Sequence, residues 1–419
     1  MIFSENRFPL FGIMLRKPAA PMLSTPPPPS KGPSPGRSIA FLALASFASQ
    51  AMVRAADTLL PQIASDLQVS VGAASIIVTV YALTHGSFQL VVGPVGDRAG
   101  KYRAVAVACA LSAVTVGLCG LADSLSTLTL ARFASGLTAA WILPLGLAFI
   151  GDVVPYERRQ QVLGRFLAGQ VLGQLFGQAA GGVVGDWFGW RAMFFVLAVL
   201  FAVAALALSY ELSANPVTRV RSTAPSRGLR ADYASVLSNP WARFVLLVVF
   251  LEAVLLQGVF PFVGADLHLR FGLSYTAIGL IVGVFGIGGL VYAATVTRMI
   301  RGLGQRGIAI GGGLVMGAAF LTLALQPAWW PAPFAVALIG LGFYMLHNTL
   351  QTVGTQMTPE ARGTSVALFA SVYFLGQTAG VALAAPVMDR FGAPPLFVVS
   401  AVLLPLLAAW FARRLKMRG

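Results

Sequence analysis

Two long apolar segments of the chain are joined by the sequence Gly93-Pro94-Val95-Gly96-Asp97-Arg98-Ala99-Gly100-Lys101-Tyr102-Arg103. An apolar helix that ends in such a charge cluster is typical of a membrane span that meets water, and an excess of Lys and Arg marks the cytoplasmic side. The glycines allow a tight turn. This segment therefore predicts two membrane-spanning helices connected by a short cytoplasmic loop.

The composition indicates an integral membrane protein. The 419 residues are 57% hydrophobic and 10% charged, with a mean hydropathy of +0.79, whereas soluble domains carry about 25% charged residues. The net charge of +15 does not indicate nucleic-acid binding, because the basic residues are scattered singly between apolar runs. Cys109 and Cys119 lie in one apolar segment, about 15 Å apart along a helix, so no disulfide between them is expected.

Twelve stretches are long and apolar enough to cross a bilayer, which takes about 20 residues each. We therefore expect an all-α integral membrane protein with twelve transmembrane helices. The stretches are 38–62, 73–95, 103–122, 126–150, 161–184, 191–210, 241–263, 275–297, 307–326, 332–355, 364–387 and 394–412.

The basic residues predict the orientation of these spans. If the N-terminus is cytoplasmic, 24 of the 29 Lys and Arg residues fall in cytoplasmic segments, while 3 fall outside and 2 lie within spans. Such an asymmetry favours a multi-pass protein of the cell (inner) membrane with both termini in the cytoplasm.

The remaining polar stretches divide the chain. Residues 1–37 are rich in proline and have little to bury, so we expect a disordered cytoplasmic tail. Residues 211–240 are polar and basic, and they are predicted as a cytoplasmic linker between an N-terminal six-helix bundle, 38–210, and a C-terminal one, 241–419, that ends in a short basic tail.

The chain also repeats itself at an offset of 203 residues. Charged residues, glycines and a glutamine agree at this offset without a gap. Each half holds six spans, an even number, so the two halves have the same orientation and the pseudo-two-fold axis is parallel to the membrane normal. Matching pairs include Arg159 with Arg362, Gly173 with Gly376, Gln174 with Gln377, Gly177 with Gly380, Asp186 with Asp389, and Gly189 with Gly392.

The segment from Gly93 to Arg103 resembles the signature loop between helices 2 and 3 of the major facilitator superfamily, G-x-x-x-D-R-x-G-[RK]-[RK], with Tyr102 at one usually basic position. The resemblance implies a secondary transporter of two six-helix bundles over residues 38–419. It also implies that this loop braces the inner helix ends in one conformation, with the start of helix 11 near Arg362 and Gly363 as its partner. The residues of this conformational latch are Gly93, Gly96, Asp97, Arg98, Gly100, Lys101 and Arg103.

Ionisable side chains within spans are candidates for function, because each costs roughly 3 kcal/mol or more in lipid unless it faces a cavity or a partner. Arg54 precedes Asp57 by three residues and shares its helical face, so the two form either a structural ion pair or part of a proton pathway. Arg132 is expected at a depth comparable to that of Asp57. A carboxylate beside a guanidinium stays ionised, while loss of that partner in another conformation favours protonation.

Two further resemblances favour proton coupling. Arg132 to Gly136 resembles the R-x-x-x-G motif on helix 4 of proton-coupled drug antiporters, whose arginine is assigned to proton transfer. Asp57 to Pro61 resembles the acidic, proline-ended segment that closes helix 1 in those proteins. The resemblance implies proton-coupling roles for both residues; a structural salt bridge is the alternative.

Glu252 has no basic residue within reach in its own span. It is predicted to spend time protonated, as a second proton site or a contact for cationic substrates, or else as a neutral acid bonded to a neighbouring helix. Gln257, His85 and His347 are the polar candidates for the substrate cavity, although lone polar groups in spans are more often interhelical hydrogen-bond partners.

Five glycines recur in the fifth predicted span: Gly169, Gly173, Gly177, Gly181 and Gly182. Their spacing predicts a ridge that lets another helix approach closely. The ridge resembles the antiporter motif G-x-x-x-G-P-x-x-G-G, but Gln178 replaces the proline. The expected kink is therefore absent, and the direction of transport stays open.

An enzyme is not predicted, because no H-E-x-x-H motif occurs and the chain has 3 histidines; neither a metal nor a cofactor is expected. The predicted function is proton-coupled efflux of small amphipathic compounds or drugs by alternating access. An uptake symporter or uniporter is the alternative, and a non-transporting membrane sensor is a remote one. The expected partners are a small-molecule substrate, protons and the lipid bilayer, and the resemblance implies a monomer.

Overall fold

The computed structural model describes residues 35–219, 229–358 and 361–416, so most of the predicted Pro-rich tail and part of the predicted linker lie outside the described residues. All regular structure in these ranges is helical. In chain order the helices are α1 (Gly36–Asp66), α2 (Val71–Ala74), α3 (Ile76–Ala99), α4 (Lys101–Gly120), α5 (Leu125–Ala139), α6 (Ile142–Val153), α7 (Tyr156–Phe188), α8 (Trp190–Ala214), a short 3-10 helix (Pro216–Arg219), α9 (Leu229–Ser238), α10 (Pro240–Leu255), α11 (Pro261–Phe271), α12 (Tyr275–Gly283), α13 (Phe285–Leu325), α14 (Ala332–Gly354), α15 (Arg362–Phe391) and α16 (Pro394–Lys416).

These helices form the twelve predicted spans. Within the described residues, 9 stretches pass a length and apolarity test for crossing a membrane, and α10 passes it when taken together with α9, from which it is bent by 87°. One of the nine, Tyr275–Leu325, holds two spans, because α13 turns at Gly304, whose φ of 64° is left-handed. The fifth span, α7, is too rich in glycine and polar residues to pass, and it lies between α1 and α12 instead of facing lipid on all sides.

The seventh span is broken, although the sequence predicts one helix over 241–263. The helix α10 ends at Leu255 and the chain resumes as α11 at Pro261. Proline has no backbone N–H to continue the helix, and Gly258 contacts Gly380 of α15 so closely that a side chain at either glycine would collide with the other's backbone. The helix α11 then continues to Phe271, beyond the predicted end.

The predicted linker also contains helix. The helix α8 continues to Ala214, and α9 lies near a right angle to α10. The Tyr233 hydroxyl of α9 donates a hydrogen bond of 2.5 Å to the carbonyl of Leu90 in α3. This part of the linker therefore contacts the N-terminal bundle.

The 203-residue repeat is visible in the turns. Gly189 begins α8 with a φ of 81°, and its counterpart Gly392 stands just before α16 with a φ of 74°. Each closes the preceding helix, since the Gly189 amide donates to the carbonyl of Gly185 and the Gly392 amide donates to that of Met388. Positive φ favours glycine at both positions.

The two six-helix bundles meet along symmetry-related helix pairs. The helix α7 of the first bundle packs on α12 of the second, and α15 of the second packs on α3 of the first. Large apolar side chains cover the outside, among them Leu130, Phe334 and Leu406, which are 70%, 69% and 60% exposed. An apolar outer surface of this extent is suited to lipid, and the predicted fold class is confirmed.

Candidate functional site

Arg54 and Asp57 form an ion pair within α1. Arg54 Nη1 lies 3.3 Å from Asp57 Oδ2, and both side chains are buried. Their three-residue spacing puts them on one face of the helix, as the sequence predicts. The second carboxylate oxygen of Asp57 has no hydrogen-bond partner among the described residues. This acid therefore has an unused acceptor in the interior of the protein.

Arg132 of α5 is completely buried, and its hydrogen bonds go to two backbone carbonyls and to the Met52 sulfur rather than to Asp57. Its Nε donates to the carbonyl of Ile77 at 3.1 Å, and its Nη1 lies 3.5 Å from that of Met52. The guanidinium also lies over the Tyr81 ring, 4.2 Å from the centroid. The Arg132 guanidinium is close enough to Asp57 for a charge interaction, although no hydrogen bond joins the two side chains.

The glycine of the R-x-x-x-G motif explains how Arg132 reaches these partners. A Cβ at Gly136 would lie 2.7 Å from the carbonyl oxygen of Tyr81 and would also overlap Thr84. Only a residue without a side chain lets α5 approach α3 this closely. The motif thus brings the guanidinium against α3 and α1.

Glu252 of α10 has a partner that the sequence did not reveal. Its Oε2 lies 2.8 Å from Nδ1 of His347 on α14. The carboxylate is fully buried, while the His347 side chain is 14% exposed. The imidazole stacks on Phe343 at 4.7 Å and lies 4.9 Å from the Tyr373 ring. His347 therefore connects the buried acid to an aromatic cluster and to solvent-accessible space.

Tyr373 joins the two acidic sites across the bundles. Its ring contacts His347, and its hydroxyl is near enough to Arg54 for an electrostatic interaction with the guanidinium. Asp57, Arg54, Tyr373, His347 and Glu252 are therefore successive neighbours across the two bundles. Tyr373 is not among the sequence candidates, because a tyrosine in an apolar span carries no signal of its own.

The other cavity candidates lie elsewhere. His85 of α3 stacks on Tyr81 and makes an edge contact of 4.6 Å with Phe374 of α15, so it lies between the bundles. Gln257 lies in the break between α10 and α11, and neither of its amide atoms has a partner among the described residues. Buried amides without partners are uncommon.

The predicted latch is described in part. Gly100 has a φ of 87°, which fits its place in the turn, and Gly96 packs against the Leu145 side chain. Lys101 forms an ion pair with Asp152 at the end of α6, a partner absent from the sequence candidates. Arg98 and Arg103 line a cavity at the same end. The side chains of Asp97 and Arg362 lie outside the described residues, as do the surroundings of Gly93.

The glycines of α7 pack against other helices. A side chain at Gly173 or Gly177 would collide with the α1 backbone, and one at Gly181 would meet Thr58. Gly169 is less tight, with 3.3 Å between its Cβ position and the carbonyl oxygen of Ala43, and Gly182 contacts α12. The helix continues through Gln178 without a break.

Two symmetry-related acids bond the bundles to each other at the end opposite the helix 2–3 loop. Asp389 of α15 accepts from the Ser70 hydroxyl at 2.6 Å and from the Gly72 amide at 2.8 Å, at the start of α2. Asp186 of α7 accepts from the Thr276 amide at 3.1 Å, at the start of α12. We call this the acid-capped end. The sequence repeat places the two acids at equivalent positions, whereas their hydrogen-bond partners become clear only in the tertiary structure.

A match to a known family model identifies the class of this protein. The family model described as Major Facilitator Superfamily matches residues 42–381. The chain belongs to the major facilitator superfamily.

Relatives within this superfamily cover most of the chain. An uncharacterized MFS-type transporter of Bacillus subtilis, YceJ, is 28% identical over 78% of this chain and 83% of its own length. The bicyclomycin resistance protein homolog of Haemophilus influenzae is 26% identical over 85% of this chain and 92% of its own. A probable sugar efflux transporter of Pasteurella multocida is 25% identical, with coverages of 84% and 87%.

Solved structures agree on the major facilitator fold. The nucleoside transporter NupG superimposes with a TM-score of 0.71 at 14% identity, covering 91% of this chain and 98% of its own. A bacterial homolog of the human lysosomal transporter Spinster gives a TM-score of 0.68 at 18% identity, with coverages of 91% and 97%. At such identities the likeness concerns the fold alone.

As a major facilitator, this protein is a multi-pass membrane transporter of small molecules and not an enzyme. Among the residues described here, no group of three or more His, Cys, Asp or Glu could hold a metal ion.

Proposed function

We propose that this protein is a secondary active transporter that exports small amphipathic compounds in exchange for protons by alternating access. The observation that carries the proposal is the contact sequence from Asp57 to Glu252. It holds two buried acids, each with a basic partner and each with one carboxylate oxygen that has no partner among the described residues. An acid of this kind changes its proton occupancy when its partner moves.

The contact between Arg54 and Tyr373 links the protonation of the two acids to the conformation of the protein. Arg54 belongs to the first bundle and Tyr373 to the second, so a change in the angle between the bundles separates them. Arg54 is then free to bind Asp57 more fully, and Tyr373, the ring neighbour of His347, loses its charged neighbour. Proton binding on either side thereby becomes dependent on which end of the transporter is open.

The surroundings of His347 support an amphipathic substrate. Phe343, Phe369 and Tyr373 lie within 4.7 to 5.5 Å of the imidazole, measured between ring centroids. Aromatic faces bind apolar and cationic groups, while the unpartnered amide of Gln257 offers one polar contact. Two relatives, a bicyclomycin resistance protein homolog and a probable sugar efflux transporter, support export.

The orientation is part of the proposal. The Lys and Arg distribution favours cytoplasmic termini, and the bacterial relatives favour the inner membrane. The acid-capped end then faces outward, and the described conformation is closed to the outside. We further propose bundles over 38–210 and 241–419, a cytoplasmic linker over 211–240, a disordered tail over 1–37, and a monomer as the working unit.

A uniporter or uptake symporter is the second candidate. Arg54 and Asp57 lie on the same helix, so their bond can persist through the whole transport cycle. In that case the pair stabilises α1 in the membrane, and no proton needs to move. The relation between solute flux and proton flux separates the two candidates.

The experiment uses purified protein in proteoliposomes with a pH-sensitive dye inside, exposed to cationic, neutral and anionic solutes. We expect proton flux that follows one class of solute in the unaltered protein and disappears in Asp57→Asn. The matched control is Asp266→Asn, which removes a buried acid whose Arg270 partner lies 3.2 Å away, outside the proposed site.

The control variant should keep coupled flux. Solute flux that ignores the proton gradient and survives Asp57→Asn would refute the exchange mechanism and favour the uniporter. Absence of any solute flux with intact folding would favour a membrane sensor.

A further inference from the structure

A cavity of about 530 Å³ opens on the side of the first bundle, away from the contact between bundles. Its lining comes from the end of α3, the first half of α4 and the junction of α5 with α6. Arg98 and Arg103 lie at one end of it, and Val107, Leu111 and Trp141 lie along the rest. The cavity thus has a basic end and an apolar body.

The two arginines are exposed and without a hydrogen-bond or ion-pair partner among the described side chains. Lys101 between them is different, because it is largely buried and bonded to Asp152. Val107 and Leu111 are 50% and 52% exposed on the same face of α4. Two guanidinium groups therefore border an apolar groove that opens onto the lipid-facing surface.

We propose that this groove is a binding site for an anionic phospholipid. The phosphate is bound by Arg98 and Arg103, since guanidinium groups recognise phosphate through paired N–H donors. One acyl chain lies along Val107 and Leu111. Leu111 follows Arg103 by eight residues, about 12 Å along the helix, which places apolar contacts below a headgroup held at the membrane surface. A basic recess between transmembrane helices is the arrangement that anionic headgroups prefer.

The second bundle does not offer the same pair of free charges. The 203-residue repeat relates Arg98 to Arg301 and Arg103 to Arg306. Arg306 Nε donates to the carbonyl of Ala412 at 3.2 Å, which ties its guanidinium to α16. We therefore infer one such site, on the N-terminal bundle, at the end that carries the helix 2–3 loop.

The test is native mass spectrometry of the purified full-length protein, titrated with phosphatidylglycerol or with phosphatidylcholine of the same acyl chains. An arginine near the membrane surface changes anionic-lipid affinity about fivefold, so Arg98→Gln with Arg103→Gln should weaken phosphatidylglycerol binding about 25-fold. Phosphatidylcholine binding should be weak and should not change.

The control is Arg298→Gln with Arg301→Gln, which removes the same charge from exposed positions in α13. It should bind phosphatidylglycerol as the unaltered protein does. Equal losses in both double variants would overturn the proposal in favour of diffuse charge attraction. So would unchanged binding in Arg98→Gln with Arg103→Gln, or equal affinity for the two lipids.

A second variant keeps the test decisive if the arginine double variant does not fold. Leu111→Trp fills the groove without altering charge, and we expect it to weaken phosphatidylglycerol binding severalfold. Leu118→Trp, a lipid-facing position farther along the same helix and 49% exposed, should bind normally. If Leu111→Trp binds as tightly as Leu118→Trp, the lipid does not occupy this groove.

Discussion

The acid-capped end should open when its two acids lose their charge. Asp389 and Asp186 each accept a backbone amide at the start of a helix in the opposite bundle. A negative charge at a helix N-terminus contributes about 1 kcal/mol. Replacing both by asparagine keeps the size and one acceptor oxygen, but it should cost the closed conformation about 2 kcal/mol, a roughly 30-fold change in the ratio of closed to open molecules.

Distances between spin labels across this end would measure the change. Cysteines at Ser126, in the first turn of α5, and at Pro327, between α13 and α14, place one label on each bundle, and both positions are exposed. The two native cysteines are buried. We expect a single short distance in the unaltered background and a growing long-distance population in Asp186→Asn, in Asp389→Asn and, most strongly, in the double variant.

Asp66→Asn is the matched control. Asp66 is an acid at the same end, but its bonds to Arg191 and Trp190 stay within the first bundle. Its loss should leave the distance distribution unchanged. If the double variant also leaves it unchanged, the two caps do not hold this end closed, and the reasoning from helix charge is wrong.

Three further variants test the packing and the site. Gly177→Leu should destabilise the protein by about 1–3 kcal/mol in thermal unfolding, because its side chain would meet the α1 backbone; Gly164→Leu, at an open position of the same helix, should not. Arg132→Lys should lower transport at least tenfold, since one ammonium cannot bond both carbonyls and cover an aromatic ring; transport at the normal rate would contradict this. Tyr373→Phe keeps the ring but removes the hydroxyl beside Arg54, and we expect fewer protons moved per solute; an unchanged ratio would show that this contact carries no coupling.

The spans, the repeat and the fold class could be predicted from sequence because each depends on many residues at once. A bilayer requires a long apolar stretch for every crossing, and the turns at Gly189 and Gly392 recur at the same offset as the residues around them. The break in the seventh span is not predicted from the sequence, although Gly258 and Pro261 mark it. The stretch is mostly apolar apart from Arg243, Glu252 and Gln257, and its length and apolarity favour one continuous helix.

The candidate site was predictable only where its partners are near in sequence. The bond between Arg54 and Asp57 follows from helical spacing. Glu252 and His347 are 95 residues apart and belong to different helices, so no periodicity connects them. Two of the acceptors of Arg132 are backbone carbonyls, which every residue has and which therefore leave no trace in the sequence.

The two acid-to-amide contacts at the acid-capped end have a consequence for the evolution of this chain. Asp186 and Asp389 occupy equivalent positions of the repeat, and each bonds the second residue of a helix in the other half. In two identical six-helix subunits related by a two-fold axis, one acid and one helix start would produce both contacts. The closed end of the present protein thus has the form of an isologous dimer interface, and it could have existed before duplication and fusion joined the two subunits into one chain.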